Sequence, residues 1–254
     1  MYPGAPEPDH DSAEYKATEG NRGRWYVEDG CIVGGRQPID SPHGSYLLTD
    51  GVYGDFELTY DMNPDWPTDT GLLVRATAVG SQGFQIHYDY RPQGSIATIY
   101  GNGIGGFRAR QYAFDMHSDA GGRHLNLKLL DLEEMRRMGV ETAGESSALT
   151  YAGDPRDVFR AIRMDDWNSI RVRVAGTKPV ITTWLNGVKV VEFDAARFTA
   201  KNYDADRSAA LLGPRGHIAL EVHNDLPRNS AVGGIPRWGR GCVSRWKNLV
   251  LTPI

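Results

Sequence analysis

Residues 83–101 read Gly-Phe-Gln-Ile-His-Tyr-Asp-Tyr-Arg-Pro-Gln-Gly-Ser-Ile-Ala-Thr-Ile-Tyr-Gly. The first eight alternate. Successive side chains of a strand point to opposite faces, so Phe84, Ile86, Tyr88 and Tyr90 share one side and Gln85, His87 and Asp89 the other. Pro92-Gln93-Gly94 is a turn signal, and residues 95–101 are again rich in β-branched and aromatic side chains. The stretch predicts a hairpin with one apolar face in a core. Its other face carries an amide, an imidazole and a carboxylate in a row, and that row is the first pointer to function.

The same period-2 pattern extends outward. Trp25–Val33 predicts two short strands around an Asp29-Gly30 turn. Tyr46–Leu48, Asp55–Asp61 and Gly71–Ala76 follow as strands, the last with Arg75 near its end. Beyond the hairpin, Trp167–Val174 sets Ile170, Val172 and Val174 against Arg171 and Arg173. Asn186-Gly187 between two apolar runs in Val180–Phe193 predicts a type I′ hairpin, because both turn positions need positive φ. Gly216–Asn224 alternates Ile218, Leu220 and Val222 with His217, Glu221 and His223, and Val243–Leu251 supplies a last strand. Short strands without regular βα alternation predict an all-β, antiparallel β-sandwich or jelly roll. Residues 1–24, polar and rich in Pro and Gly, read as a loose N-terminal arm. Residues 25–254 read as a single jelly-roll domain. Within it, about 102–165 form a loop/helix insertion carrying His117 and His124, with a helix over Asp131–Met138 stopped by Gly139.

Composition narrows the function. The chain has 254 residues, 40% of them hydrophobic, which is enough to bury a full core. The net charge is −4 with both signs interspersed, and no basic run points to nucleic acid. No apolar run approaches the roughly 18 residues of a membrane span. The N-terminus lacks the basic and apolar regions of a signal peptide, so a cytoplasmic protein is expected, or a secreted or periplasmic one if the chain has been trimmed. Two cysteines, Cys31 and Cys242, make no disulfide framework and read as thiols packed like small apolar groups, although first and last strands often meet. The oligomeric state is not readable.

Eight fragments in order carry a resemblance: Tyr53-Gly54-Asp55-Phe56; Thr70-Gly71-Leu72-Leu73-Val74-Arg75; Gly83-Phe84-Gln85-Ile86-His87; Ala97-Thr98-Ile99-Tyr100-Gly101; Trp167-Asn168; Leu185-Asn186-Gly187; Gly216 to His223; and Arg245-Trp246-Lys247-Asn248-Leu249. Together they resemble the 3-keto-disaccharide hydrolase domain family. The resemblance implies a concanavalin A-like jelly roll acting on glycosides already oxidised to a ketone at C3, with a small-molecule carbohydrate as partner. Glu221 stands where the family pattern has a glutamine.

A 3-keto group acidifies the C2 hydrogen, so a base can form an enolate and the C1 oxygen can leave by β-elimination, with water adding back for net hydrolysis. Such a reaction needs a base, a cation or donor at the enolate oxygen and an acid for the leaving group. The expected base is His87 or His223, and Arg75 or Arg245 is expected at the oxyanion. Glu221 or Asp89 is expected as acid or as the group orienting a histidine. Substrate contacts are expected from Arg75, Gln85, Tyr100, Trp238, Arg245 and Lys247. No cofactor is expected. His87, His223 and Glu221, with Asp89, are donor types that a metal would accept, but their spacing matches no zinc signature. The alternative is a non-catalytic, lectin-like carbohydrate-binding domain.

Overall fold

The computed structural model describes residues 23–78, 82–89, 91–118, 124–140, 149–200, 202–225 and 234–254. The arm up to residue 22, Tyr90, and the side chains of His117 and His124 lie outside the described residues.

One sheet has eight strands in the order β1 (Arg24–Glu28), β2 (Cys31–Gly35), β16 (Val243–Pro253), β4 (Phe56–Pro64), β12 (Asn168–Ala175), β13 (Val180–Leu185), β14 (Val188–Asp194) and β11 (Leu149–Ala152). The other has six: β3 (Ser45–Leu48), β15 (His217–Val222), β5 (Asp69–Ala76), β6 (Gly83–Asp89), β7 (Ser95–Asn102) and β8 (Arg108–Ala109). Every ladder is antiparallel. The two sheets form a jelly-roll β-sandwich, in which the last strand, β16, pairs with the second strand, β2, rather than with the first. Cys31 and Cys242 are free thiols.

The core lies where the alternation placed it. Phe56, Leu58, Tyr60 and Met62 of β4 and Ile170, Val172 and Val174 of β12 join Leu72, Val74, Phe84, Ile86, Tyr88, Ile218 and Leu220 of the six-stranded sheet in one buried cluster. The Asn186-Gly187 turn has φ of 47° and 87°, the geometry that matches the strands' own twist.

The two sheets differ on their outer faces. Burial along β4 alternates with partial exposure, as it should for a strand with one wet face. All residues of β5 and β6 are buried, polar ones included. The outer face of the six-stranded sheet is therefore covered where the polar row sits.

The described residues of the 102–165 insertion pack into the sandwich. They contribute β8 to an edge of the six-stranded sheet and β11 to an edge of the eight-stranded one. They also form a ribbon of β9 (Phe114–Ser118) and β10 (His124–Leu129), and two helices, α1 (Leu132–Arg137) and α2 (Pro155–Ala161). Phe107, Tyr112, Phe114 and Val158 from this stretch enter the main core. Helix α1 opens with a capping box between Asp131 and Glu134 and is followed by Gly139 at φ 65°, as expected. A third helix, α3 (Ala205–Leu212), precedes β15.

Candidate active site

Register assembles the site. On β5 and β6, Asp69 pairs with Asp89, Gly71 with His87 and Leu73 with Gln85. On the far side of β5, Leu220 of β15 pairs with Leu72, which carries Glu221 alongside Gly71. Glu221 pairs in turn with Tyr46 of β3. A shift in register between His87 and Tyr88, with Ala97 at φ 57°, lets Ser95, Thr98 and Tyr100 of β7 pair with Asp89, His87 and Gln85 in turn. The result is a polar patch centred on the outer face of β5.

Asp69 is its hub. It lies 3.0 Å from His87 Nε2 and accepts from Arg91 Nη2 at 2.9 Å and from Arg237 Nη1. His223 Nε2 stands 3.8 Å away. Arg91 also grips Asp89, through Nε at 2.9 Å and Nη2 at 2.8 Å, and its backbone N–H adds a third bond at 2.9 Å. Glu221 accepts from the Tyr46 hydroxyl at 2.9 Å and from Gln85 Nε2, and Tyr46 accepts from Asn102 at 3.0 Å. The side chains of His223 and Arg237 are 18% and 20% exposed, more than those of Asp69, His87, Asp89 and Arg91, so of these they sit nearer solvent.

Burial sets the protonation states. It disfavours charge on Asp69, but His223, Arg91 and His87 outweigh it and hold that carboxyl well below the usual carboxylate range. Burial, and next the negative charge of Asp69, push Glu221 up to about 8 against the Tyr46 hydrogen bond and the charge of Arg237. Burial lowers His223 from its ordinary value, against the attraction of Asp69. The site thus keeps an ionised carboxylate and a protonated carboxyl side by side near neutral pH. Because ionised Asp69 can only accept, the proton of the His87–Asp69 bond sits on Nε2, and Nδ1 is the ring nitrogen that Asp69 does not engage.

Of the residues expected from sequence, His87, His223, Glu221, Asp89 and Gln85 are brought together, and Tyr100 borders them with its ring 6.1 Å from that of His87. Four others are not. Arg75 is 1% exposed and bonds to the carbonyls of Tyr53, Gly54, Pro214 and Gly176 and to Asp55, at the opposite end of β5 from Asp69. Arg245 and Lys247 belong to the eight-stranded sheet, where Arg245 pairs with Asp65 at 2.7 Å and Lys247 lies 3.8 Å over Trp167. Trp238 is 2% exposed, with Nε1 bonded to the Cys242 carbonyl, so it offers no face to a sugar. Its bridge to Thr68 instead sets the neighbouring Arg237 over Asp69. His217 is tied to the Thr49 carbonyl at 2.7 Å.

Sequence reading missed Asp69, Arg91, Arg237 and Tyr46. Two of these had a signal. Arg91 continues the Gln85, His87, Asp89 alternation by one more step, and Asp69 extends the Gly71, Leu73 face of β5 by one step toward its start. Tyr46 follows only from pairing, and Arg237 only from the loop's path.

The metal-competent grouping also differs from the expected one. Among the described residues, donor atoms of Asp69, His87 and Asp89 lie within 4.8 Å of one another. Arg91 already bonds both of these carboxylates, so a dication there would have to displace a guanidinium.

A solved structure shares this architecture. A candidate glycosyl hydrolase from Parabacteroides distasonis superposes with a TM-score of 0.52 at 17% identity, over 91% of this chain and 90% of that one, a likeness of fold. A second from the same organism gives 0.46 at 16% identity over 91% and 83%. The carbohydrate binding module CBM66 from Bacillus subtilis gives 0.44 at 10% identity over 91% of each chain. No curated protein matches the chain by sequence. The match of a family model over residues 8–233 settles the kinship that the ordered fragments implied: the chain belongs to the 3-keto-alpha-glucoside-1,2-lyase-like domain family.

Proposed function

We propose that the protein cleaves 3-keto-glycosides by β-elimination of the C1 substituent, with water adding back to complete hydrolysis. The observation that carries this reading is the placement of His87 and Glu221 on either side of Gly71. One is a base whose proton is fixed on Nε2 by Asp69, and the other is a carboxyl held up to about 8. Two inter-strand steps put their Cα atoms about 10 Å apart, a span on the scale of a sugar ring.

His87 Nδ1 takes the C2 proton, and the C2–H electrons form the C2=C3 enolate. Its oxygen develops negative charge within reach of Arg237, the arginine of the cluster nearest solvent. The enolate then re-forms the ketone, C1=C2 forms and the C1–O bond breaks. Glu221 gives its proton to the departing oxygen. An alcohol and an enone result. In the return half, ionised Glu221 takes a proton from water, the water oxygen bonds to C1 and His87 returns a proton to C2. Asp89 and Arg91 hold Asp69 in place and touch no reacting atom. Tyr46 and Gln85 orient the acid.

The test is incubation with a 3-keto-glucoside and with its parent glucoside. Release of the aglycone with a transient enone absorbance from the first alone supports the reading. Binding of the 3-keto compound without turnover would replace it with the lectin-like, carbohydrate-binding alternative.

A further inference from the structure

Asn102 is the last residue of β7, where the strand turns into the glycine-rich run Gly103-Ile104-Gly105-Gly106. That turn is pinned. The N–H groups of Ile104 and Gly106 both donate to the Gly101 carbonyl, at 3.3 and 2.9 Å, and Ile104 is buried in the main core. A Cβ on Gly105 would lie 2.6 Å from the Asn202 carbonyl oxygen, so the loop packs directly on the backbone ahead of α3. From this fixed point the Asn102 amide meets Tyr46 of β3, with β6, β5 and β15 lying between the two strands.

The direction of each bond along this path follows from what the groups can do. Asn102 Nδ2 only donates, and it lies 3.0 Å from the Tyr46 hydroxyl. That hydroxyl has one proton, and it goes to Glu221 Oε1 at 2.9 Å. Gln85 Nε2 donates to Oε2. Both carboxyl oxygens of Glu221 therefore accept from the protein, and neither neighbour takes the carboxyl's own proton. A tyrosine hydroxyl without a donor beside it can turn about and accept that proton instead. An acid that donates to a fixed protein group holds back the proton it has to deliver. The Asn102 N–H removes this option, because it occupies the hydroxyl's acceptor side and leaves the hydroxyl proton for the carboxyl.

We infer that Asn102 is a positioning residue for the acid: by donating to Tyr46 it sets the direction of the hydrogen-bond chain, so that the Glu221 proton is left for the departing oxygen of the substrate. This rests on the proposed 3-keto-glycoside reading, in which Glu221 is that acid.

The experiment uses Asn102→Asp, a change of nearly the same shape to a group that only accepts. The Tyr46 hydroxyl should turn to the new carboxylate and take up the Glu221 proton. The rate on methyl 3-keto-glucoside should fall about tenfold, the worth of one hydrogen bond. The rate on the p-nitrophenyl analogue, whose anion departs unaided, should stay near that of the wild type. Asn102→Ala supplies no acceptor and should cost less on the methyl substrate. An unchanged ratio of the two rates in Asn102→Asp overturns the inference, as does a loss in Asn102→Ala as large as in Asn102→Asp.

Urea titrations read the chain without turnover. The bond from Tyr46 favours ionised Glu221, so its loss in Asn102→Asp should carry the decline in stability with rising pH beyond about 8. The other charges facing Glu221, those of Asp69 and Arg237, are untouched by the substitution. The added carboxylate pushes the same way by its charge alone. The substitution is therefore repeated in a Tyr46→Phe background, where no hydroxyl can turn and the shift should be smaller. Equal shifts in the two backgrounds overturn the inference. A larger shift with the hydroxyl present, in a protein that cleaves no 3-keto-glycoside, supports the hydrogen-bond chain and removes the reaction alone.

Discussion

The Gln85 amide donates to the Glu221 carboxyl across strand β5, to which neither residue belongs. Gly71 makes this reach feasible. A Cβ at that position would lie 3.0 Å from both Cγ and Nε2 of Gln85 and 2.5 Å from the Ile86 carbonyl. Gly71→Ala is therefore expected to push the Gln85 side chain off Glu221. The overpacking should cost about 1–3 kcal/mol, read as a lower denaturant midpoint. Turnover of a 3-keto-glucoside should fall with it, since the acid loses its orienting partner. Wild-type midpoint and rate in this variant would contradict the arrangement.

Glu221 should leave a mark on stability against pH. Its carboxyl stands at about 8 in the folded chain and near 4.5 when unfolded. Between those values the folded state keeps a proton that the unfolded state has lost. Stability therefore declines as pH rises from about 4.5 to about 8 and is level above, by about 1.4 kcal/mol per pH unit inside the window for this one group. Glu221→Gln is neutral throughout, and the Gln85 amide can turn to complement it. The variant should gain on the wild type steadily from pH 5 to pH 8 in urea titrations. Parallel curves would show that Glu221 ionises normally.

The same substitution separates acid catalysis from packing. Without a proton to give, Glu221→Gln should lose rate on a 3-keto-glycoside with a poor leaving group such as methanol. It should keep most of its rate on a p-nitrophenyl analogue, whose anion departs unaided. In the wild type the poor-leaving-group rate should fall as pH passes about 8. Equal losses on both substrates would reassign Glu221 to a purely structural role.

His87 is expected to be the base. Its Nε2–H is committed to Asp69 at 3.0 Å, so the tautomer is fixed. His87→Gln should reduce kcat by roughly 10²–10⁴, the usual contribution of a positioned general base. The far-ultraviolet circular dichroism and the melting transition should change little by comparison. A loss under tenfold would transfer the assignment to His223, whose pKa burial lowers and which stands nearer solvent.

Much of the sandwich could be read from alternation, because one-faced burial is what alternation encodes. Strands β4 and β12 carry it cleanly, and their facing residues meet in the core. Helix α3 had the Asp204 cap and the Gly213 stop as signals, yet its short amphipathic run sits in a stretch without strand periodicity. The edge strands β8 and β11 are too short to show a period. At the site, the row Gln85, His87, Asp89 and the row His217, Glu221, His223 were legible as faces. That they flank a common strand was not, since pairing order is a property of topology. Arg237 shows the limit most plainly: a loop residue, brought over Asp69 by a single bridge between Thr68 and Trp238, leaves no local pattern.

Arg75 tests whether the oxyanion partner lies where the motif or where the geometry puts it. The motif suggested a substrate contact. The structure instead shows its guanidinium donating at 2.9 Å to the Tyr53 carbonyl, 2.6 Å to that of Gly54 and 3.2 Å to that of Gly176, with Asp55 at 2.8 Å. These bonds knit the end of β5 to the loops around it. Arg75→Met keeps the aliphatic stem and strands several carbonyl acceptors. It should cost about 3 kcal/mol or more in stability, because unsatisfied buried groups carry their full desolvation penalty. Below its melting transition the variant should still turn over a 3-keto-glucoside at close to the wild-type rate. Arg237→Met should do the reverse, losing rate with a smaller change in melting temperature, since that side chain is one-fifth exposed. An inactive but stable Arg75→Met protein would return the oxyanion role to Arg75 and displace Arg237 from the mechanism.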